Sequence, residues 1–561
     1  MAWYDEAVFY HIYPLGLTGA PKQNDYYCEP VHRLNTLIPW IDHMKAIGVS
    51  ALYIGPLFES VGHGYETTDY KKLDRRLGTN EDLTAFVKKC HEAGLRVILD
   101  GVFNHTGRDF FAFRDLKENR ENSAYRDWYC NVNFWGNNEY DDGFSYENWG
   151  GYNLLVKLNQ RNPAVRDYIC DVIRFWVETF DIDGLRLDAA DVLDFDFMKE
   201  LRRTAESVKP EFWLMGEVIH GDYSRWANQN TLHSVTNYSL HKGLYSGMND
   251  HNFFEIAHTV KRNNDMVPAH VKLYNFVDNH DVERIMTKLR NKAHYTPVHI
   301  LLYTLPGIPS VYYGSEFGIE GRKERHSDDS LRPFIDLKDH REDLEKNPCT
   351  RLIAALGKIH AAHRQDFAWG DYRELCLTNR QFSYARGDLI VAVNNDDHEA
   401  RVNVAARHGK YRGLLYGGSV TAEGGRLNIT LPPNNGEIYA PVCGHGRADR
   451  SGMLPVPEKE TPAVRPAPVQ ETRQEESAPK KESAAKEETA PKEEEKPREE
   501  KASAAGTVIP EDLPYDQMTM EQLQAVILQK MAKNGPVTDQ MRKDVEENIW
   551  LNSLINWANS F

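Results

Sequence analysis

Cysteine is scarce in this chain of 561 residues: seven in all, Cys28, Cys90, Cys130, Cys170, Cys349, Cys376 and Cys443. Their number is odd and no two stand at a metal-ligand spacing, so a disulfide framework and a cysteine metal site are both excluded, and reduced cytosolic thiols are expected. Positive charge is also in deficit, with 67 Lys and Arg against 83 Asp and Glu and a formal charge of −16. Nucleic acid and anionic membrane surfaces reward a basic face, so neither is an expected partner. No uninterrupted run of about 18 apolar residues occurs, which excludes a spanning helix. Met1 to Glu6 has no basic start followed by an apolar stretch, so no secretion signal is expected and the location read from the sequence is cytoplasmic. What is present is hydrophobic mass, 41% of residues, enough for a large core, on a chain too long for one ordinary domain.

The chemistry is concentrated at strand ends. Gly184-Leu185-Arg186-Leu187-Asp188-Ala189-Ala190-Asp191 reads as a short apolar strand whose alternation puts Arg186 and Asp188 on one face. A guanidinium that stays protonated lowers the pKa of a neighbouring carboxyl, which is one way to prepare a nucleophile, although a structural ion pair would look the same in isolation. Three further runs repeat the pattern. Arg96-Val97-Ile98-Leu99-Asp100-Gly101-Val102-Phe103-Asn104-His105 closes in Asp, Asn and His. Phe212-Trp213-Leu214-Met215-Gly216-Glu217-Val218 delivers one Glu, and Tyr274-Asn275-Phe276-Val277-Asp278-Asn279-His280-Asp281 delivers His and Asp. No core absorbs so many polar groups at the ends of its strands.

These four segments, in this order, resemble the diagnostic motifs of the alpha-amylase family of glycoside hydrolases. The resemblance implies Asp188 as nucleophile, Glu217 as general acid/base and Asp281 as a third carboxylate gripping the sugar in the transition state. It implies Arg186, His105 and His280 as supporting residues, the histidines holding hydroxyls of the cleaved sugar. His63-Gly64-Tyr65-Glu66-Thr67-Thr68-Asp69-Tyr70 resembles the family segment that supplies a stacking platform, with Tyr65 as the platform. Leu154-Leu155-Val156-Lys157-Leu158-Asn159 stands at the variable fifth motif. It keeps the lysine, without the proline, of the group related to neopullulanases, cyclomaltodextrinases and maltogenic amylases, which leans the substrate toward small maltodextrins or cyclodextrins. That group usually carries an extra amino-terminal domain, whereas this chain starts directly at the barrel. Calcium-dependent members tend to carry Lys-His where this sequence has Asp191-Val192, and Leu17 to Pro30 lacks an Asp/Asn ladder, so no metal and no cofactor are expected.

Retaining hydrolysis of alpha-glucosidic bonds is the implied activity, with Arg186 expected to separate the pKa values of Asp188 and Glu217. Transglycosylation, alpha-1,6-glucosidase action and a non-catalytic scaffold are the alternatives.

The organisation agrees with an α/β chain. From Val8 to about His363 strand-like and helix-like segments alternate, the pattern of a (β/α)8 TIM barrel spanning residues 1–104 and 161–368. Residues 105–160 break the alternation after the third strand and form an inserted subdomain rich in aromatics, most of them expected to build its own core. Residues 369–445 carry short strands around Arg386-Gly387-Asp388, and the resemblance implies an antiparallel β-sandwich there. A Pro/Ala/Glu/Lys stretch, 446–508, reads as a disordered linker. Residues 509–561 form a small α-helical module that opens on a capping box at Thr519, carries Leu523, Val526, Ile527 and Met531 on one face, and resumes from about Thr538. Two such helices bury little alone, so they are expected to pack on something else, either in a docking or self-association role or folded back on the enzyme's own surface.

Overall fold

The computed structural model describes residues 2–325, 327–442, 454, 519–534 and 545. The chain divides into two compact units, Met1–Val456 and Pro457–Phe561.

The first unit is organised by eight parallel strands in sequential order: β1 (Phe9–Ile12), β2 (Ala51–Ile54), β3 (Arg96–Gly101), β4 (Gly184–Leu187), β5 (Trp213–Gly216), β6 (Ser234–Val235), β7 (Tyr274–Asn275) and β8 (Ile308–Tyr312). β1 pairs with β2 and with β8, and a parallel bridge between Thr236 and Tyr274 joins β6 to β7, so the sheet closes into a barrel. Period-2 alternation sorts its residues. Tyr10, Leu52, Val97, Leu99, Leu185 and Leu214 face outward into one large core with the helices, while Phe9, Ala51, Ile98, Trp213 and Ile308 fill the interior.

Local signals start the helices where the sequence predicts them. In Asn80–Glu92, the Thr79 amide donates to Asp82 Oδ2 at 2.8 Å, the reciprocal half of a capping box. Pro163–Phe180 opens with Asn162 Oδ1 accepting the Ala164 amide at 2.9 Å and Pro163 in the first turn. Its buried face carries Val165, Ile169, Val172 and Trp176, and the Trp176 ring stacks on Phe58 at 4.4 Å.

Between β3 and β4 lie a helix, Phe111–Asn119, and an antiparallel three-stranded sheet of His105–Thr106, Tyr152–Lys157 and Asn148–Trp149. Phe110, Phe113, Phe144 and Tyr129 are buried there, whereas Trp135 and Trp149 are exposed. After the barrel, strands from Tyr372 to Pro441 form a six-stranded antiparallel sheet and a two-stranded one, sharing a core of Ile390, Val402, Val404, Leu427 and Ile429.

In the second unit the helix Met520–Asn534 is capped as expected: the Thr519 amide donates to Gln522 Oε1 at 2.8 Å and Gln522 N to Thr519 Oγ1 at 3.3 Å. Leu523, Val526 and Ile527 on it are buried. The expected linker and second helix lie outside the described residues, Leu454 and Val545 apart. Among the described residues every cysteine is free, and no helix is long and apolar enough to cross a membrane.

Candidate active site

Two residues beyond several of the interior positions, the barrel strands turn polar. Ile98 is followed on the same face by Asp100, Gly184 by Arg186 and Phe9 by His11. The register sets Asp100 directly beside Arg186 on the neighbouring strand. Arg186 is buried, and its Nη1 donates to Asp100 Oδ1 at 2.8 Å and to Asp188 Oδ1 at 2.9 Å. Its Nη2 lies 2.7 Å from Glu217 Oε2. One guanidinium therefore joins carboxylates from the ends of β3, β4 and β5.

The turn after β4 serves the same cluster. Ala189 adopts a left-handed conformation, φ +45°, rare for a residue with a Cβ, and so aims its amide at Glu217 Oε2 at 3.2 Å. The Tyr238 hydroxyl lies 3.2 Å from Glu217 Oε1 and receives the amide of Asn279 at 3.2 Å.

Asp281 enters from the loop after β7. Its backbone amide is held by Asn279 Oδ1 at 2.8 Å, and its Oδ2 lies 3.0 Å from His280 Nε2. Arg332 Nη2 donates to its Oδ1 at 2.9 Å, while Arg332 Nε holds the His280 carbonyl at 3.0 Å. The side chains of Asp188, Glu217 and Asp281 are 10%, 13% and 32% exposed, so the cluster opens to solvent on the Asp281 side. Tyr65 joins it through its hydroxyl, which contacts His280 Nε2 and donates to Asp100 Oδ2 at 3.3 Å, and its ring stacks on His280 at 5.8 Å.

Six of the seven sequence-derived residues thus come together, as two trios, Asp188, Glu217 and Arg186 on one side and Asp281, His280 and Tyr65 on the other, joined through Asp100. The seventh, His105, lies behind Tyr65: its Nε2 is 3.2 Å from the Tyr65 carbonyl and its Nδ1 3.3 Å from Asn104 Nδ2. Burial pushes its pKa down to about 3, so the imidazole is neutral, with Nε2–H donating to Tyr65.

Electrostatics correct one expectation. Arg186 does not separate Asp188 from Glu217, because it is shared by both. Burial raises the pKa of each, outweighing Arg186, and the neighbouring carboxylates add to the rise. Burial would also raise Asp281, but His280, Arg332 and Arg186 hold it well below the usual carboxylate range. Sequence reasoning missed Arg332, Tyr238 and Asp328, whose Oδ2 accepts Arg332 Nη2 at 3.1 Å; they stand in loops and a helix without strand-end spacing. Asp100 was visible at a strand end, but its partner is set by register.

Asn104 Oδ1 accepts Gln160 Nε2 at 3.3 Å, and Gln160 Oε1 accepts the Asp194 amide at 2.6 Å. Among the described residues no group of three or more His, Cys, Asp or Glu side chains is arranged to hold a metal ion.

Comparison with known proteins gives the same picture. The family model described as alpha amylase, catalytic domain, matches residues 29–415. A cyclomaltodextrinase of Geobacillus thermopakistaniensis is 30% identical over 421 residues, 72% of this chain and 70% of that protein. Neopullulanase 2 of Thermoactinomyces vulgaris is 34% identical over 258 residues, 43% of each chain. The crystal structure of a Thermus thermophilus protein, Ttha1563, superposes with a TM-score of 0.69 at 29% identity, covering 79% of this chain and all of that one.

Proposed function

The chain belongs to the alpha-amylase family, and from that premise we propose that it is a retaining glycoside hydrolase acting on alpha-glucosidic bonds of maltodextrins, cyclodextrins or related alpha-glucans. The observation that carries the reading is the single Arg186 guanidinium bonded to both Asp188 and Glu217. It holds two carboxyl groups side by side, as double displacement requires.

Asp188 attacks the anomeric carbon while Glu217 protonates the departing oxygen. Glu217, now a base, then takes a proton from the water that releases the glycosyl-enzyme. The first step needs one proton on the pair, and the site supplies it by charge imbalance. Four carboxylates, Asp100, Asp188, Glu217 and Asp281, face three cations among the described residues, the Arg186 and Arg332 guanidinium groups and the Lys323 ammonium, whose Nζ lies 2.9 Å from the Asp281 carbonyl. Asp281 stays ionised against Arg332, and Asp100, although burial raises its pKa as well, takes Arg186 Nη1 on both oxygens and the Tyr53 hydroxyl at 2.9 Å. The proton therefore falls to the Asp188/Glu217 pair, and Glu217 Oε1 is the oxygen that takes it, because Oε2 is held by Arg186 and the Ala189 amide whereas Oε1 faces the neutral Tyr238 hydroxyl. Asp281, Arg332 and His280 bind the sugar, Tyr65 forms its platform, and His105 fixes Tyr65 through its carbonyl.

The lean to short or cyclic substrates rests on Lys157, which pairs with Glu147 on the strand opposite His105, and on the relatives' names. The test is product chromatography with beta-cyclodextrin, maltotriose, pullulan, isomaltose and starch, for the wild type and Asp188→Asn. Opening of cyclodextrin by the wild type alone is the expected result. Preference for isomaltose would move the assignment to alpha-1,6 bonds, and identical behaviour of the two proteins would overturn the hydrolase reading.

A further inference from the structure

The insertion after β3 brings a solvent-facing tryptophan to the edge of the site. His105 pairs with Lys157 at one end of the small antiparallel sheet, and Trp149 pairs with Tyr152 at the other, across a turn made by Gly150 and Gly151. Both glycines have positive φ, +64° and +85°, which lets a two-residue turn reverse the chain and fixes where Trp149 stands. The Trp149 ring centroid is 6.1 Å from that of His105, the residue that holds Tyr65. Most aromatics of this insertion are consumed in its core, Phe113 and Phe144 being fully buried, yet Trp149 keeps 37% of its surface exposed. An indole tilted at 41° to the His105 imidazole and still solvent-accessible offers apolar ring surface, and a glucosyl ring presents a matching face of C–H groups.

The position around the rim decides which sugar it meets. Glu217 follows β5 and marks the side of the departing oxygen, whereas Trp149 joins the site through His105 and Tyr65, on the β2–β3 side. We propose that Trp149 is the stacking platform for a second glucosyl unit, the neighbour of the cleaved sugar on the retained side, and that it sets a preference for substrates long enough to reach it. This rests on the reading of the site as an alpha-glucan hydrolase.

The test is calorimetric titration of the full chain carrying Asp188→Asn, alone and combined with Trp149→Ala or Trp149→Phe, with maltotetraose and with glucose. The ratio of the two affinities is expected to fall about tenfold with alanine and to be largely restored by phenylalanine, since the ring and not the residue's bulk makes the contact. An unchanged ratio, or an equal loss for both sugars, would overturn the assignment. Turnover is not needed for this titration, so a wild type that releases no sugar would sink the hydrolase reading without touching the Trp149 result.

Discussion

The lower and upper layers of the barrel interior stand on the same strands, two residues apart, and differ in material: the lower is apolar, and the upper sets buried charge beside Tyr53 and Met215. Below, Phe9 and Trp213 stack at 4.9 Å among Ala51, Ile98 and Ile308. Above, Asp100, Arg186 and Asp188 share hydrogen bonds with no apolar residue between them. The lower layer contributes stability through buried apolar surface, and the upper layer gives some of it up by desolvating charge. The contrast places strength and chemistry in separate layers, so substitutions should separate them too.

The largest separation is expected for Asp188→Asn. Removing the nucleophile should cost at least about 10,000-fold in kcat/KM, roughly 5.5 kcal/mol of barrier. The thermal midpoint should stay level or rise, because a buried excess charge is relieved; a lower midpoint would break the comparison.

Arg186→Met should blur it. Three carboxylates would then face one another without their counter-charge, at a cost of about 3–5 kcal/mol at neutral pH. Their folded pKa values would lie further above the unfolded ones, so this loss applies above those values and should shrink as acid protonates the cluster. Urea unfolding at pH 7 and pH 5 checks the sign.

Trp213→Ala should act only below. A cavity in the lower layer is expected to remove about 3–5 kcal/mol of stability, with kcat per folded molecule unchanged at a temperature where the variant is native.

The smallest effect per pH unit concerns the buried histidines. His105, His241, His280 and His360 are held neutral by burial, each with a pKa lowered from 6.5 to about 3. Between those values the unfolded chain binds more protons than the folded one, so stability rises with pH and is lost on acidification. Each residue should cost up to about 1.4 kcal/mol per pH unit below 6.5. Unfolding midpoints from pH 7 to pH 4 measure this, and a flat profile would contradict it.

What the sequence made legible was local. Strand runs ending in Asp100, Asp188, Glu217 and Asp281, the caps at Thr79, Asn162 and Thr519, and the glycine turn at Gly387 are encoded within a few residues, and each is found. What it left dark was lateral. That Arg186 reaches Asp100 and Glu217 as well as Asp188 follows from the pairing of β3, β4 and β5, which no single segment contains. Arg332 lies in a loop 51 residues from the Asp281 it binds, with no periodicity to mark it. Tyr65 and His105 were both visible, but the hydrogen bond that makes one the support of the other depends on where the insertion docks.

The most direct test of the shared-guanidinium pair is the configuration of the first product. Proton NMR of the hydrolysis of maltotriose, followed before the released sugar mutarotates, should show the alpha anomer appearing first and the beta anomer only later, as double displacement through Asp188 requires. Immediate accumulation of the beta anomer would mean that water attacks in a single displacement, and would contradict the assignment of Asp188 and Glu217 as adjacent nucleophile and acid.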